Sequence, residues 1–82
     1  MKERIENEIN TPLEELNLWV DDVLLEEEDG IKYLRIVLDS NNVIDLDKIV
    51  LATRIIDPII TNMDLIEDSY VLDIYAKEKG EV

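Results

Sequence analysis

The chain has 82 residues, of which 46% are hydrophobic and 35% charged, and 21 acidic against 8 basic side chains give a net charge of −13. It has no Cys and no His, which excludes disulfides, thiolate metal sites and the usual general base near neutral pH. So acidic a chain is unsuited to binding a phosphate backbone, and no apolar run is long enough for a membrane span or signal peptide. These features predict one small cytosolic domain without a cofactor.

Apolar residues recur at helical spacing over residues 3–16, which predicts a first helix. Pro12 interrupts this pattern, so the helix either restarts at a capping box that begins with Thr11 or kinks at the proline. Asn17 suits the left-handed residue that ends a helix.

Two strands and a turn follow the first helix. Residues 18–27 predict a strand in which both alternating sets are partly apolar, which is typical of a central strand. Gly30 favours a turn, and residues 31–39 alternate cleanly between apolar and mixed positions. The predicted core face of this second strand consists of Leu34, Ile36 and Leu38.

A second helix and a third strand complete the pattern. Asp45 is a good N-cap for the helix, whose apolar stripe continues past Pro58, although the proline predicts a kink or an early end. A polar connection leads to residues 70–75, which alternate as a strand. Residues 77–82 form a charged tail that we expect to be frayed.

The element order is helix, strand, strand, helix, strand. It predicts an α+β domain over residues 1–76, with two helices packed on one face of a three-stranded sheet. We expect a right-handed second crossover. We also expect the third strand to lie beside the first, which gives the strand order 2-1-3.

No residue pattern indicates catalysis. Ser40 and Ser69 are the serines of the chain, no His could activate them, and the two glycines lie too far apart for a phosphate-binding loop. Residues 39–45 match a calcium loop only in part, because Val43 stands where an oxygen ligand is needed and Ile44 where the loop needs Gly. We interpret this segment as a strand-to-helix loop and expect no metal site.

Two further patterns leave alternatives open. Asp39-Ser40 before a helix is similar to the modified serine of an acyl carrier protein, although Ser40 follows a strand and carriers are all-helical. Trp19 and the three tyrosines could form a ligand platform, but packing in the core or on a sheet face is the commoner role of a single Trp.

The acidic residues are unevenly distributed. Ten acids and no base lie between Ile5 and Ile31, and five acids and no base lie between Ile55 and Ala76. Such stretches either keep the chain soluble or attract a basic partner.

Six segments together have a spacing typical of one known family: Thr11-Pro12-Leu13-Glu14-Glu15-Leu16, Asp22-Val23, Leu34-Arg35-Ile36-Val37-Leu38-Asp39, Val43-Ile44-Asp45-Leu46-Asp47, Thr53-Arg54 and Tyr70-Val71-Leu72-Asp73-Ile74. From about Ile5 to Ile74 the chain resembles, without gaps, the N-terminal domain of the bacterial ribosome maturation factor RimP. It departs from that family where Asn17 replaces a common Gly and where Tyr75-Ala76-Lys77-Glu78 replaces "SSPG".

The resemblance implies a non-enzymatic assembly factor for the small ribosomal subunit, which binds the subunit's ribosomal protein twelve. Ribosomal proteins are strongly basic, so an acidic domain suits this partner. The family carries a second, small β-barrel domain, so residues 77–82 would begin a linker to it. RNA binding of the KH type needs a GXXG loop and a basic surface, and the sequence has neither.

We expect a monomer that binds neither nucleic acid nor membrane. We expect the basic partner to contact the first hairpin through six carboxylates: Asp21, Asp22, Glu26, Glu27, Glu28 and Asp29. Two alternatives stay open, namely an acidic interaction domain with some other basic partner and a carrier protein modified at Ser40.

Overall fold

The computed structural model describes residues 1–78, which form two α-helices, a short 3₁₀ helix and three strands. Both helices pack on one face of a mixed sheet, which confirms the predicted α+β class. The elements are α1 (Lys2–Leu13), the 3₁₀ helix (Glu14–Leu16), β1 (Leu18–Glu28), β2 (Ile31–Ser40), α2 (Leu46–Met63) and β3 (Tyr70–Ala76).

The first helix continues through Pro12 and does not restart at Thr11, which lies inside α1 and not at a cap. Pro12 lies in the last turn, and the chain tightens into the 3₁₀ helix directly afterwards. Asn17 then ends the helical segment with φ 57°, as predicted. The buried face of α1 consists of Ile5, Ile9 and Leu13.

A β-bulge in β1 explains why both of its alternating sets are apolar. Val20 is in register with Leu38, but Asp22 is in register with Val37, so Asp21 is the extra residue. Because side chains alternate between faces, the extra residue moves the core-facing positions from even to odd numbers. Most apolar residues of β1 therefore lie on one face that the bulge interrupts, and β1 is an edge strand and not the predicted central strand.

The expected strand order is wrong, because the sheet has the order β1-β2-β3 and β3 pairs parallel to β2. The free edge of β1 is already occupied at its bulge: the Val20 N–H donates to Asn10 Oδ1 at 2.8 Å, and the Val23 N–H donates to Asp22 Oδ1 at 2.9 Å. The other edge of β2 is regular and accepts a parallel strand after the α2 crossover.

The second helix is capped as expected, since the Lys48 N–H donates to Asp45 Oδ1 at 2.9 Å. It does not end before Pro58 but continues to Met63. Ile56 and Ile60, on either side of the proline, are completely buried in the core and hold this part of the helix against the sheet.

The end of the chain departs in part from the expected frayed tail. The Lys77 N–H donates to the Leu38 carbonyl at 2.7 Å, and Lys77 Nζ lies 3.4 Å from Asp21 Oδ1. Lys77 is therefore held against the sheet, whereas the rest of that prediction, residues 79–82, lies outside the described residues.

Candidate protein-interaction surface

The second face of the sheet carries no helix, and we call it the helix-free face. The register of the strands places alternate residues of all three strands on it. Its members are Trp19, Asp22, Leu24, Glu26 and Glu28 of β1, Ile31, Tyr33, Arg35, Val37 and Asp39 of β2, and Val71, Asp73 and Tyr75 of β3.

The helix-free face combines exposed apolar area with negative charge. Trp19 is 37% exposed, Val71 45% and Tyr75 36%, so Trp19 lies on the sheet face and not in the core. Among the residues that form the face, five carboxylates accompany the single guanidinium of Arg35. Carboxylates and aromatic rings are the groups that bind Arg and Lys, through charge-assisted hydrogen bonds and cation–π contacts.

Arg35 organises the centre of the helix-free face. Its Nη1 donates to Glu26 Oε1 at 2.8 Å, its Nη2 to Glu28 Oε2 at 3.3 Å, and its Nε lies 3.4 Å from Asp73 Oδ2. The guanidinium also lies over the Tyr33 ring, 4.5 Å from its centroid. The hydrogen bonds to Glu26 and Glu28 raise the pKa of Arg35 above its ordinary value. This network ties the hairpin to β3 across the sheet.

The four carboxylates at the hairpin tip do not share one environment, as the sequence had suggested they would. Asp29 and Gly30 have φ values of 52° and 78°, the geometry of a type I′ turn, so Asp29 serves the turn itself. Glu26 and Glu28 turn onto Arg35, whereas Glu27, in register with Lys32, lies on the opposite side of the ribbon. The four carboxylates are exposed but do not form one cluster.

The other two predicted site residues lie at the bulge. Asp21 is the bulged residue and pairs with Lys77. Asp22 accepts the Val23 N–H and lies 3.9 Å from Lys2 Nζ. Both carboxylates are partly exposed and lie in the first half of β1, several residues before the hairpin tip. The structure therefore spreads the six predicted carboxylates along β1 and into the turn.

Ser40 does not have the geometry of a modification site. It is 2% exposed at the end of β2, and its hydroxyl donates to the Asn17 carbonyl at 2.7 Å. A carrier serine must reach solvent, so this burial argues against the carrier alternative. Residues 1–78 contain no group of three or more His, Cys, Asp or Glu side chains that could hold a metal ion.

Sequence reasoning missed the contribution of β3 and of Trp19 to the helix-free face. Val71, Asp73 and Tyr75 are alternate residues of a recognised strand, so their shared face could have been found from the alternation. Trp19 could not be placed in the same way, because the bulge at Asp21 separates it from the later positions of β1.

These features define a small α+β domain whose helix-free sheet face carries aromatic rings and an excess of carboxylates. Residues 8–76 match the family model described as the RimP N-terminal domain, and the chain belongs to this family, whose members are ribosome maturation factors. The chain matches none of the curated proteins with which it was compared. None of the helices within residues 1–78 is long and apolar enough to cross a membrane.

Proposed function

We propose that this chain is a non-enzymatic assembly factor for the small ribosomal subunit, which acts in the cytoplasm as a monomer. It binds a basic ribosomal protein of that subunit, ribosomal protein twelve. The domain spans residues 1–76, and residues after 76 lead toward a second domain. Family membership supports the ribosomal context.

The observation that carries the proposal is the acidic character of the helix-free face and of the hairpin beside it. Arg35 is already paired with three carboxylates, so its positive charge is offset and does not repel a basic partner. Asp22 at the bulge, Glu27 near the end of β1 and Asp29 in the turn add negative charge along the length of this hairpin. A basic surface would be attracted by this field and oriented by it, which speeds association more than it raises affinity.

Calorimetric titration with purified ribosomal protein twelve, at two salt concentrations, tests the proposal. Saturable binding that weakens with salt is expected, and small-subunit ribosomal RNA serves as the control ligand with no binding expected. Binding to the RNA in preference to the protein would overturn the proposal. Binding to neither would favour the alternative of an acidic interaction domain with another basic partner.

A charge-matched pair of variants tests the site. The triple variant Asp22→Asn, Glu27→Gln, Asp29→Asn removes three charges and leaves Glu26 and Glu28 on Arg35. The control Glu3→Gln, Glu8→Gln, Glu15→Gln removes three exposed charges from the helical side. We expect only the first to slow association and to flatten its salt dependence, because exposed charges act over about 10 Å at moderate salt. Equal effects would mean that net charge alone matters.

A further inference from the structure

Within residues 1–78, the outer edge of β3 is open and regular. The Lys77 N–H donates to the Leu38 carbonyl at 2.7 Å, while residue 38 is in register with Ala76. In a parallel ladder alternate residues bond to the same neighbouring strand, so the odd-numbered residues of β3 bond to β2. The N–H and C=O groups of Leu72 and Ile74 therefore point away from the sheet, where none of residues 1–78 pairs with them.

The opposite edge does not offer the same opportunity. On β1 the outward N–H of Val20 is bound by Asn10 and that of Val23 by Asp22, and the bulge at Asp21 interrupts the strand. Bulges and occupied donors are how proteins prevent a further strand from pairing at an edge. In contrast, β3 pairs with β2 in unbroken register from Tyr70 to Ala76.

A groove runs beside the open edge, between α2 and β3, with a volume of about 540 Å³. It is lined by Asp57, Thr61, Asp68, Ser69, Tyr70 and Leu72. The helix thus forms a wall next to an unpaired strand. An extended peptide can pair with such an edge through its backbone while alternate side chains enter the groove.

The charge of this region selects the partner. The edge lies within the base-free stretch from Ile55 to Ala76. Asp68 is bridged by Lys32 at 2.6 Å, but Asp57 accepts only the Thr61 hydroxyl, at 3.3 Å, and has no cation partner among residues 1–78. A Lys or Arg that enters the groove would meet the Asp57 carboxylate.

We propose that the β3 edge binds an extended, Lys- or Arg-bearing segment of a partner protein as a fourth strand of the sheet. Alternate side chains of that segment enter the groove beside Asp57, and the others extend the helix-free face beside the half-exposed Val71 and Tyr75. The inference deepens the proposed function and rests on it for the basic character of the partner.

A synthetic peptide of the length of β3, with alternating Lys and Val and blocked termini, tests the proposal. On titration we expect the amide protons of Leu72 and Ile74 to become protected from hydrogen exchange. The amides of Asp73 and Tyr75, already bonded to β2, should keep their exchange rates. Binding without protection of Leu72 and Ile74, or no binding, would overturn strand addition.

Two N-methylated forms of the same peptide are matched controls. One is methylated at the Lys amides and the other at the Val amides. In a strand, alternate amides face the same neighbour, so one form should bind about tenfold more weakly and the other should be unchanged. Equal affinities would contradict the proposal, and the form that is weakened reveals the direction of the added strand.

Variants of the domain test the groove. Asp57→Asn keeps an oxygen acceptor for Thr61 and removes the charge, so peptide binding should weaken by about threefold. Asp47→Asn, an equal loss of charge in the first turn of α2, is the control and should change nothing. Since the ribosomal protein is absent from these measurements, their failure would overturn strand addition alone, and titration of that protein would still decide the proposed function.

Discussion

The helix-covered and helix-free faces of the sheet are built from neighbouring residues of the same strands. On β2, Ile36 is completely buried beneath the helices, whereas Arg35 lies on the helix-free face among three carboxylates. Val37 is also nearly buried but does not belong to the helix-covered core, because its neighbours on the adjacent strands are Asp22 and Tyr75. One face therefore stabilises the fold by excluding water, while the other is stabilised by ion pairs and stays partly exposed.

The largest expected effect separates the two faces directly. Ile36→Ala should lower the free energy of unfolding by about 3 kcal/mol, because it leaves a cavity under the helices. Val37→Ala, one residue away, should lower the free energy of unfolding by about 1 kcal/mol, because Val37 lies on the helix-free face, where no helix covers it. Urea unfolding measures both. Equal losses would show that the helix-free face is as important to stability as the core.

The Arg35 network tests how the helix-free face is stabilised. Arg35→Ala leaves Glu26, Glu28 and Asp73 without their cation, so the urea midpoint should fall, though by less than for Ile36→Ala. Arg35→Lys should recover part of the loss, because an ammonium keeps the charge but cannot reproduce the fork of donors. A lysine variant as stable as the native chain would mean that charge, and not geometry, holds the three strands together on this face.

The helix-covered face also depends on the stability of α2, whose N-terminus is capped by Asp45. Asp45→Ala removes the oxygen that accepts the Lys48 N–H and should cost about 1 kcal/mol. Asp45→Asn retains an acceptor and should be nearly neutral. Urea unfolding of the two variants compares them, and a loss of the same size in both would point to charge near the helix N-terminus in place of the cap.

The smallest expected effect concerns the ion pair between Lys32 of β2 and Asp68 in the segment before β3. The hydrogen bond from Lys32 lowers the pKa of Asp68 and raises that of Lys32. Because the pKa of Asp68 is lower in the folded chain, its carboxylate stabilises the fold fully at pH values above the unfolded pKa of about 4. This contribution is lost as the pH falls through the lowered pKa of the folded state.

The native chain and Asp68→Asn should therefore differ slightly in urea midpoint near neutral pH and converge in acid. At the alkaline end, the contribution of Lys32 is complete below its unfolded pKa of about 10.4 and disappears as the pH rises through the raised value. A difference between the two proteins that persists at acid pH would assign the effect to packing of the side chain.

Local residue chemistry was enough to predict several features. Asn17 adopts the left-handed conformation and Asp45 caps α2, because each depends on a few adjacent backbone groups. The buried positions Leu34, Ile36 and Leu38 follow from the alternation of a single strand. The continuation of both helices through Pro12 and Pro58 was harder to predict from the sequence. Burial of the flanking apolar residues outweighs the backbone hydrogen bond that each proline removes.

The candidate surface depended on information that no single segment contains. The bulge at Asp21 shows itself only when β1 is aligned with β2, and without it Trp19 and Leu24 cannot be assigned to one face. Glu26 and Glu28 seemed free at an exposed turn, yet both bind Arg35 from the next strand. Contacts between strands depend on their register, because a shift of one residue would move every side chain of a strand to the opposite face of the sheet.

The sequence by itself determined the acidic charge, the order and kinds of elements, the roles of Asn17 and Asp45 at helix ends, the hydrophobic faces of the helices and of β2, and the resemblance to the RimP family. These follow from composition and from patterns within about one turn or one strand. Only the tertiary structure decided the strand order, the shared face of Trp19 and Tyr75, and the open edge of β3. Each of these depends on which strand β2 accepts at its second edge, and that choice is made by long-range packing and pairing.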